Sequence, residues 1–145
     1  MNSQVDDPTY GVLMGGSIRI QCKRCGQVLS GVLVELTDYD ALNFEDDEPL
    51  MDVGVYCRSE LIVSEESFFR AQPDEILVYR KSLIDMVEGG PRVGCCGPGD
   101  GKWNLFCQKK HRIGIEMADC YMPHFVRVPL NRVKLIAVEG ETSAS

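Results

Sequence analysis

Polar and apolar residues alternate along Ser17-Ile18-Arg19-Ile20-Gln21-Cys22, the period-two pattern of a strand with one buried face. The chain then turns through Cys22-Lys23-Arg24-Cys25-Gly26 and returns in the largely apolar run 28–36, which predicts a hairpin with the cysteine turn at its tip. Residues 37–49 are acidic and lack periodicity, so an exposed loop is expected there, followed by a strand over 51–57. Ser64 is placed to cap a short helix over 64–71, with Glu65 and Glu66 in its first turn and Pro73 beyond its end. Ile76, Tyr79, Arg80, Leu83, Ile84 and Val87 recur at roughly helical spacing up to Gly89-Gly90-Pro91, which predicts a second helix. Ile76-Leu77-Val78-Tyr79 taken alone reads equally as a strand. Six glycines and two prolines in residues 89–101 mark a loop, and three strands are expected over 102–107, 113–120 and 125–138.

The fold expected from this pattern is mainly β, with one or two short helices and antiparallel sheets stapled by a zinc knuckle, in the manner of a β-tent or a zinc ribbon. The 145 residues suit one domain over 17–138, with an acidic insertion at 37–75, a lead-in at 1–16 and a polar tail at 139–145. There is no apolar run of membrane-spanning length and no basic-then-apolar start, so a cytoplasmic protein is expected. In that compartment seven cysteines read as thiols and metal ligands, not as disulfides.

Two cysteines two residues apart, followed by glycine, aim both sulfurs at one point, and soft thiolates at that spacing suit a tetrahedral Zn²⁺ ion. Cys22 and Cys25 form this pair, and Cys107, at the head of the basic turn 108–112, offers a third thiolate. The preferred fourth ligand is Cys96, carried in by the glycine-rich loop, with Cys95 and His111 as alternatives. The expected metal set is therefore Cys22, Cys25, Cys96 and Cys107, around a structural zinc. A redox role for the pair fits less well, because such a motif usually opens a helix and here it tips a hairpin. Gly97-Pro98-Gly99-Asp100-Gly101 lacks the spacing and the Lys-Ser/Thr of a phosphate loop. Neither Cys57 nor the Cys120/His124 pair shows the adjacent base that a cysteine nucleophile requires.

Cys22-x-x-Cys25, Asn104-Leu105-Phe106-Cys107, Ile113-Gly114 and Val133-Lys134-Leu135-Ile136 together resemble the zinc-stapled β-sheet domains of the Yippee, Mis18 and cereblon C-terminal families. That resemblance implies a β-tent fold closed by zinc. Those families complete the site with a second Cys-x-x-Cys pair, and here Lys110 stands where its last cysteine would fall. The aromatic cage of the cereblon relative needs several tryptophans, and Trp103 is the single one in this chain, so that activity does not carry over.

Charge is distributed unevenly. Residues 35–75 hold thirteen acids against Arg58 and Arg70, a net of −11 within a chain of net −7. Such a surface favours a basic protein partner and repels phosphate backbones. The expected function is a non-enzymatic, zinc-stabilised interaction domain whose acidic surface binds a basic protein, with an immunity protein against a cationic toxin as one such role. The alternatives are a metal-dependent hydrolase or deaminase and a nucleic-acid-binding zinc module, for which basic residues interleaved with Trp103 and Phe106 speak.

Overall fold

The computed structural model describes residues 17–63, 71–89 and 102–138. They form one mixed sheet of nine strands: β1 Ser17–Cys22, β2 Leu33–Glu35, β3 Val55–Arg58, β4 Glu75–Val78, β5 Val87–Glu88, β6 Leu105–Phe106, β7 Arg112–Met117, β8 Phe125–Pro129 and β9 Val133–Val138. Their order is β5-β6-β7-β8-β4-β3-β2-β1-β9. One short helix, α1 (Glu60–Val63), and three 3₁₀ turns complete the regular structure of these residues.

The mainly β expectation holds, with three local differences. The second expected helix is absent from 76–87, where the alternative strand reading of 76–79 matches β4, followed by a 3₁₀ turn over Arg80–Ser82 and β5. All four residues of β4 are buried, because Ile76 and Val78 face one core while Leu77 faces another. A strand buried on both faces has no alternation to betray it. The run expected over 125–138 breaks at Pro129 into β8 and β9, and the return arm after the cysteine turn keeps strand pairing only at β2 and at isolated bridges such as Gln21–Val28. Lastly, the sheet is not purely antiparallel: β2 and β3 run parallel. A parallel pair needs a crossover connection, and residues 36–54, which hold the densest run of acids, supply it. The helix expected over 64–71 falls largely outside the described residues, as do the lead-in 1–16, most of the glycine-rich loop and the tail.

Sheet order and chain connection together require strong curling. Four strands lie between β8 and β9, about 24 Å in a flat sheet at the usual strand spacing. Only Leu130–Arg132 joins them, so Pro129 and Val133 are no more than about 14 Å apart. The sheet therefore wraps round. Its inner face is lined by Ile18, Ile20, Leu33, Tyr56, Ile76 and Val128 among others, and this core reaches Cys22 and Cys107. Gly114 lets β7 lie close to β8, since a Cβ there would meet Val126 Cγ1 at 2.9 Å and the Arg127 carbonyl oxygen at 3.1 Å.

The outer face carries a second core. Cys57, Leu77, Ile115 and Phe125 from the sheet pack against Ile62 of α1 and against Leu42, Leu50 and Met51 of the crossover. On the same face Arg127 forms a bidentate pair with Glu75, at 3.0 and 2.9 Å, with both side chains over nine-tenths buried. Among the described residues no helix is long and apolar enough to cross a membrane.

Candidate metal centre

Two turns meet where the curled sheet brings the end of β1 against the β6–β7 connection. In the first, the Cys22 carbonyl accepts from Gly26 N–H at 2.8 Å, and Gly26 takes a left-handed conformation (φ 80°) that glycine adopts without strain. The bond from Cys22 N–H to the Gln27 carbonyl, also 2.8 Å, closes the turn, and Lys23 N–H donates to the Arg132 carbonyl at 3.1 Å, tying the turn to the start of β9. The second turn repeats the scheme with a different sequence. Lys110 N–H donates to the Cys107 carbonyl at 2.8 Å, Cys107 N–H donates to the His111 carbonyl at 3.0 Å, and Lys110 holds the left-handed position (φ 70°).

The side chains of these turns converge. Cys22, Cys25, Cys107 and His111 place their ligand atoms within 4.8 Å of one another. Cys25 Sγ lies 3.8 Å from Cys107 Sγ, and His111 Nδ1 lies 3.5 Å from Cys22 Sγ and 3.2 Å from Cys107 Sγ. The sulfurs are free thiols, since a disulfide would hold Cys25 and Cys107 near 2.05 Å. A backbone amide, His111 N–H, points at Cys107 Sγ from 3.4 Å, and such donors stabilise a thiolate. Cys22 and Cys107 are buried while Cys25 and His111 are half-buried, so the cluster lies at the rim of the inner core. Three sulfurs and an imidazole nitrogen so disposed could hold a metal ion.

Of the expected ligand set, the structure brings Cys22, Cys25 and Cys107 together. Cys96 and its neighbour Cys95 lie outside the described residues. His111, named in the sequence as an alternative, stands in the fourth place of the cluster. The second turn thus presents its nitrogen ligand one residue later than a Cys-x-x-Cys would. Lys110 takes the strained turn position, and the longer imidazole makes up the reach.

Other reactive groups are placed differently. Cys57 is buried in the outer core, and that burial, with the Glu35 charge, pushes its thiol up to about 12, far from a nucleophile's range. Glu35 is held above the usual carboxylate range by burial, which the Arg58 guanidinium beside it offsets only in part. His124 uses Nε2 to face Asp47 Oδ1 and the Asp119 carbonyl oxygen, each at 3.2 Å, and so pins the acidic crossover to the β7–β8 connection.

No protein-family model, no curated protein and no solved structure matches this chain.

Proposed function

We propose that this chain is a non-enzymatic interaction domain, stapled by a structural zinc ion on Cys22, Cys25, Cys107 and His111, that captures a basic protein through its acidic crossover. Zinc is favoured by the donor chemistry and by the spacing. A tetrahedral ion with bonds of about 2.3 Å to sulfur and 2.0 Å to nitrogen separates its ligands by about 3.8 Å (S–S) and 3.5 Å (S–N). Three of the cluster's six separations, 3.8, 3.5 and 3.2 Å, lie close to those edges, and all six are within 4.8 Å. Four protein donors fill a tetrahedron and leave no position for a water, which favours a structural ion over a hydrolytic one. Two turns clamped across a curled sheet also support kinship with the β-tent families named above. The thiol-rich set suits a reducing, cytoplasmic setting.

The observation that carries the binding role is the crossover itself. Residues 36–54 contain seven acids and no base. Its backbone is nevertheless fixed: Leu42, Leu50 and Met51 are buried, Leu50 N–H donates to the His124 carbonyl at 2.9 Å, and His124 N–H donates to the Glu48 carbonyl at 2.8 Å. Asp38, Asp40, Glu45, Asp46, Asp47, Glu48 and Asp52 stay exposed. Carboxylates on a rigid support steer a cationic partner without a large ordering cost on binding. A toxin inhibited through a basic cleft is one such partner.

The triple variant Glu45→Gln, Asp46→Asn, Glu48→Gln tests this. It spares Asp47, whose side chain holds His124 and whose backbone is left-handed (φ 63°). Its melting temperature is expected to stay within about 2 °C of wild type, since exposed charges contribute within about 0.5 kcal/mol. In affinity purification from the source cell, wild type should retain basic proteins that elute with salt and that the variant does not hold. Recovery of acidic proteins alone, or equal recovery by both baits, would contradict the reading.

A further inference from the structure

The metal end of the molecule has the opposite charge, and we propose that it binds the phosphate backbone of nucleic acid. Three of the segments that build it, residues 17–34, 102–115 and 130–138, contain nine lysines and arginines and no aspartate or glutamate, and the adjoining segment 84–88 adds two acids, Asp85 and Glu88. The sequence read whole argues against nucleic acid, because net charge mixes this end with the crossover. The fold separates the signs. Lys23 and Arg24 stand exposed on the first turn, and Lys109 and Lys110 on the second. Arg19 and Lys134 are exposed on the adjacent β1–β9 ribbon, where their strands pair through Arg19–Ile136 and Gln21–Lys134. None of these six forms an ion pair with a described residue. The crossover acids therefore do not neutralise them.

A second observation gives the surface its specificity. Arg112 and Arg132 both rest on the Trp103 ring, with guanidinium carbons 5.8 and 5.3 Å from its centroid. Arg132 Nε is buried and has no hydrogen-bond partner among the described residues. Stacking on the indole holds two planar forks in place without consuming their outer donors, a state suited to bidentate phosphate contact. The same arrangement engages the one indole of the chain, so it offers phosphate recognition and not base stacking. Compensation of the metal cluster does not account for this much charge. Three thiolates, a neutral imidazole and a divalent ion sum to −1, which one lysine would balance. Asp85 is also brought to the turns, where its backbone carbonyl accepts from Gln27 Nε2 and Gln108 Nε2 at 3.0 and 2.8 Å, and its exposed carboxylate leaves the bases in large excess.

The test is fluorescence anisotropy with labelled twenty-nucleotide probes, a single-stranded RNA and a duplex DNA, on the zinc-loaded full chain. At least one probe is expected to bind at 50 mM salt, with affinity falling on the order of a hundredfold by 200 mM if about four phosphates are neutralised. Scrambling the probe sequence should change little. Lys23→Ala, Arg24→Ala, Lys109→Ala and Lys110→Asn combined, the asparagine chosen because it tolerates a left-handed backbone, should weaken binding at least about tenfold and flatten the salt dependence. Arg19→Ala with Lys134→Ala, exposed on the β1–β9 ribbon and outside both metal turns, should weaken it several-fold with zinc content unchanged. The crossover triple variant should bind as wild type does, which separates this surface from the acidic one. No binding at 50 mM salt, or competition by polyglutamate equal to that by nucleic acid, would overturn the proposal. So would salt-sensitive self-association that needs both charged faces, since a second copy would then be the occupant.

Discussion

Serine in place of Cys107 is expected to release the metal and lower the melting temperature by more than about 10 °C. Structural zinc contributes its binding free energy to folding directly, on the order of 10 kcal/mol in peptides that have little else. Two apolar cores support this domain independently, so the expected loss is smaller, at least about 4 kcal/mol, or roughly 3 °C per kcal/mol at this chain length. Cys107 is the informative position because the proposed ligand role is not its only one. Its backbone closes the second turn, its sulfur accepts from His111 N–H, and it is fully buried against the inner core. A strong chelator should lower wild type to the level of Cys107→Ser and leave the variant where it is. If the variant carries no metal yet melts with wild type, the ion is not structural.

The second large effect is expected from Glu75 and Arg127. Their bidentate pair is shut between the sheet and the outer core, and Glu75 Oε1 also accepts from Gln72 N–H at 3.1 Å. Ser59 Oγ, accepting from Glu75 N–H and donating to the Gln72 carbonyl, fixes the same corner. Glu75→Gln leaves a buried guanidinium without its counter-charge, and the expected cost is about 3–5 kcal/mol. Replacing both residues, Glu75→Leu with Arg127→Met, should cost far less than the sum of the single changes, because neither charge is then stranded. Chemical denaturation of the four proteins measures the coupling. Additive losses would mean that the two side chains act separately.

These two sites differ in how far sequence alone reveals them. The first turn is legible because its signal is local: alternation in β1, two thiols at fixed spacing, and a glycine where the backbone turns left-handed. Cys107 is legible as a third member of the cluster by its place at the head of a turn. The choice between His111 and a loop cysteine is not, since it depends on which side chain the curled sheet brings within reach. Glu75 and Arg127 lie 52 residues apart, and Glu75 is counted with the acidic stretch 35–75, so nothing in the order of residues pairs them. The crossover is the same kind of case. Its acids mark an exposed surface correctly, but Leu42, Leu50 and Met51, scattered without period among them, gave no sign that they wall a core.

Residues 76–87, read as a helix with a strand at 76–79 as the equal alternative, show the opposite failure, since pattern could not choose the strand that forms. Ile76, Tyr79, Leu83 and Val87 do recur at helical spacing, but their neighbour Leu77 is needed just as much on the other face of β4. Two cores on opposite sides of one strand make the consecutive residues Ile76, Leu77 and Val78 all apolar, and periodicity then carries no information.

X-ray absorption at the zinc edge, with elemental analysis of the purified chain, tests the central claim most directly. The account predicts one zinc per chain and a first shell of three sulfurs at about 2.3 Å and one nitrogen at about 2.0 Å. It also predicts that His111→Ala removes the nitrogen and weakens retention of the ion, while Cys96→Ser leaves the shell unchanged. A chain purified without stoichiometric metal, or a shell of four sulfurs that loses one in Cys96→Ser and none in His111→Ala, would contradict it.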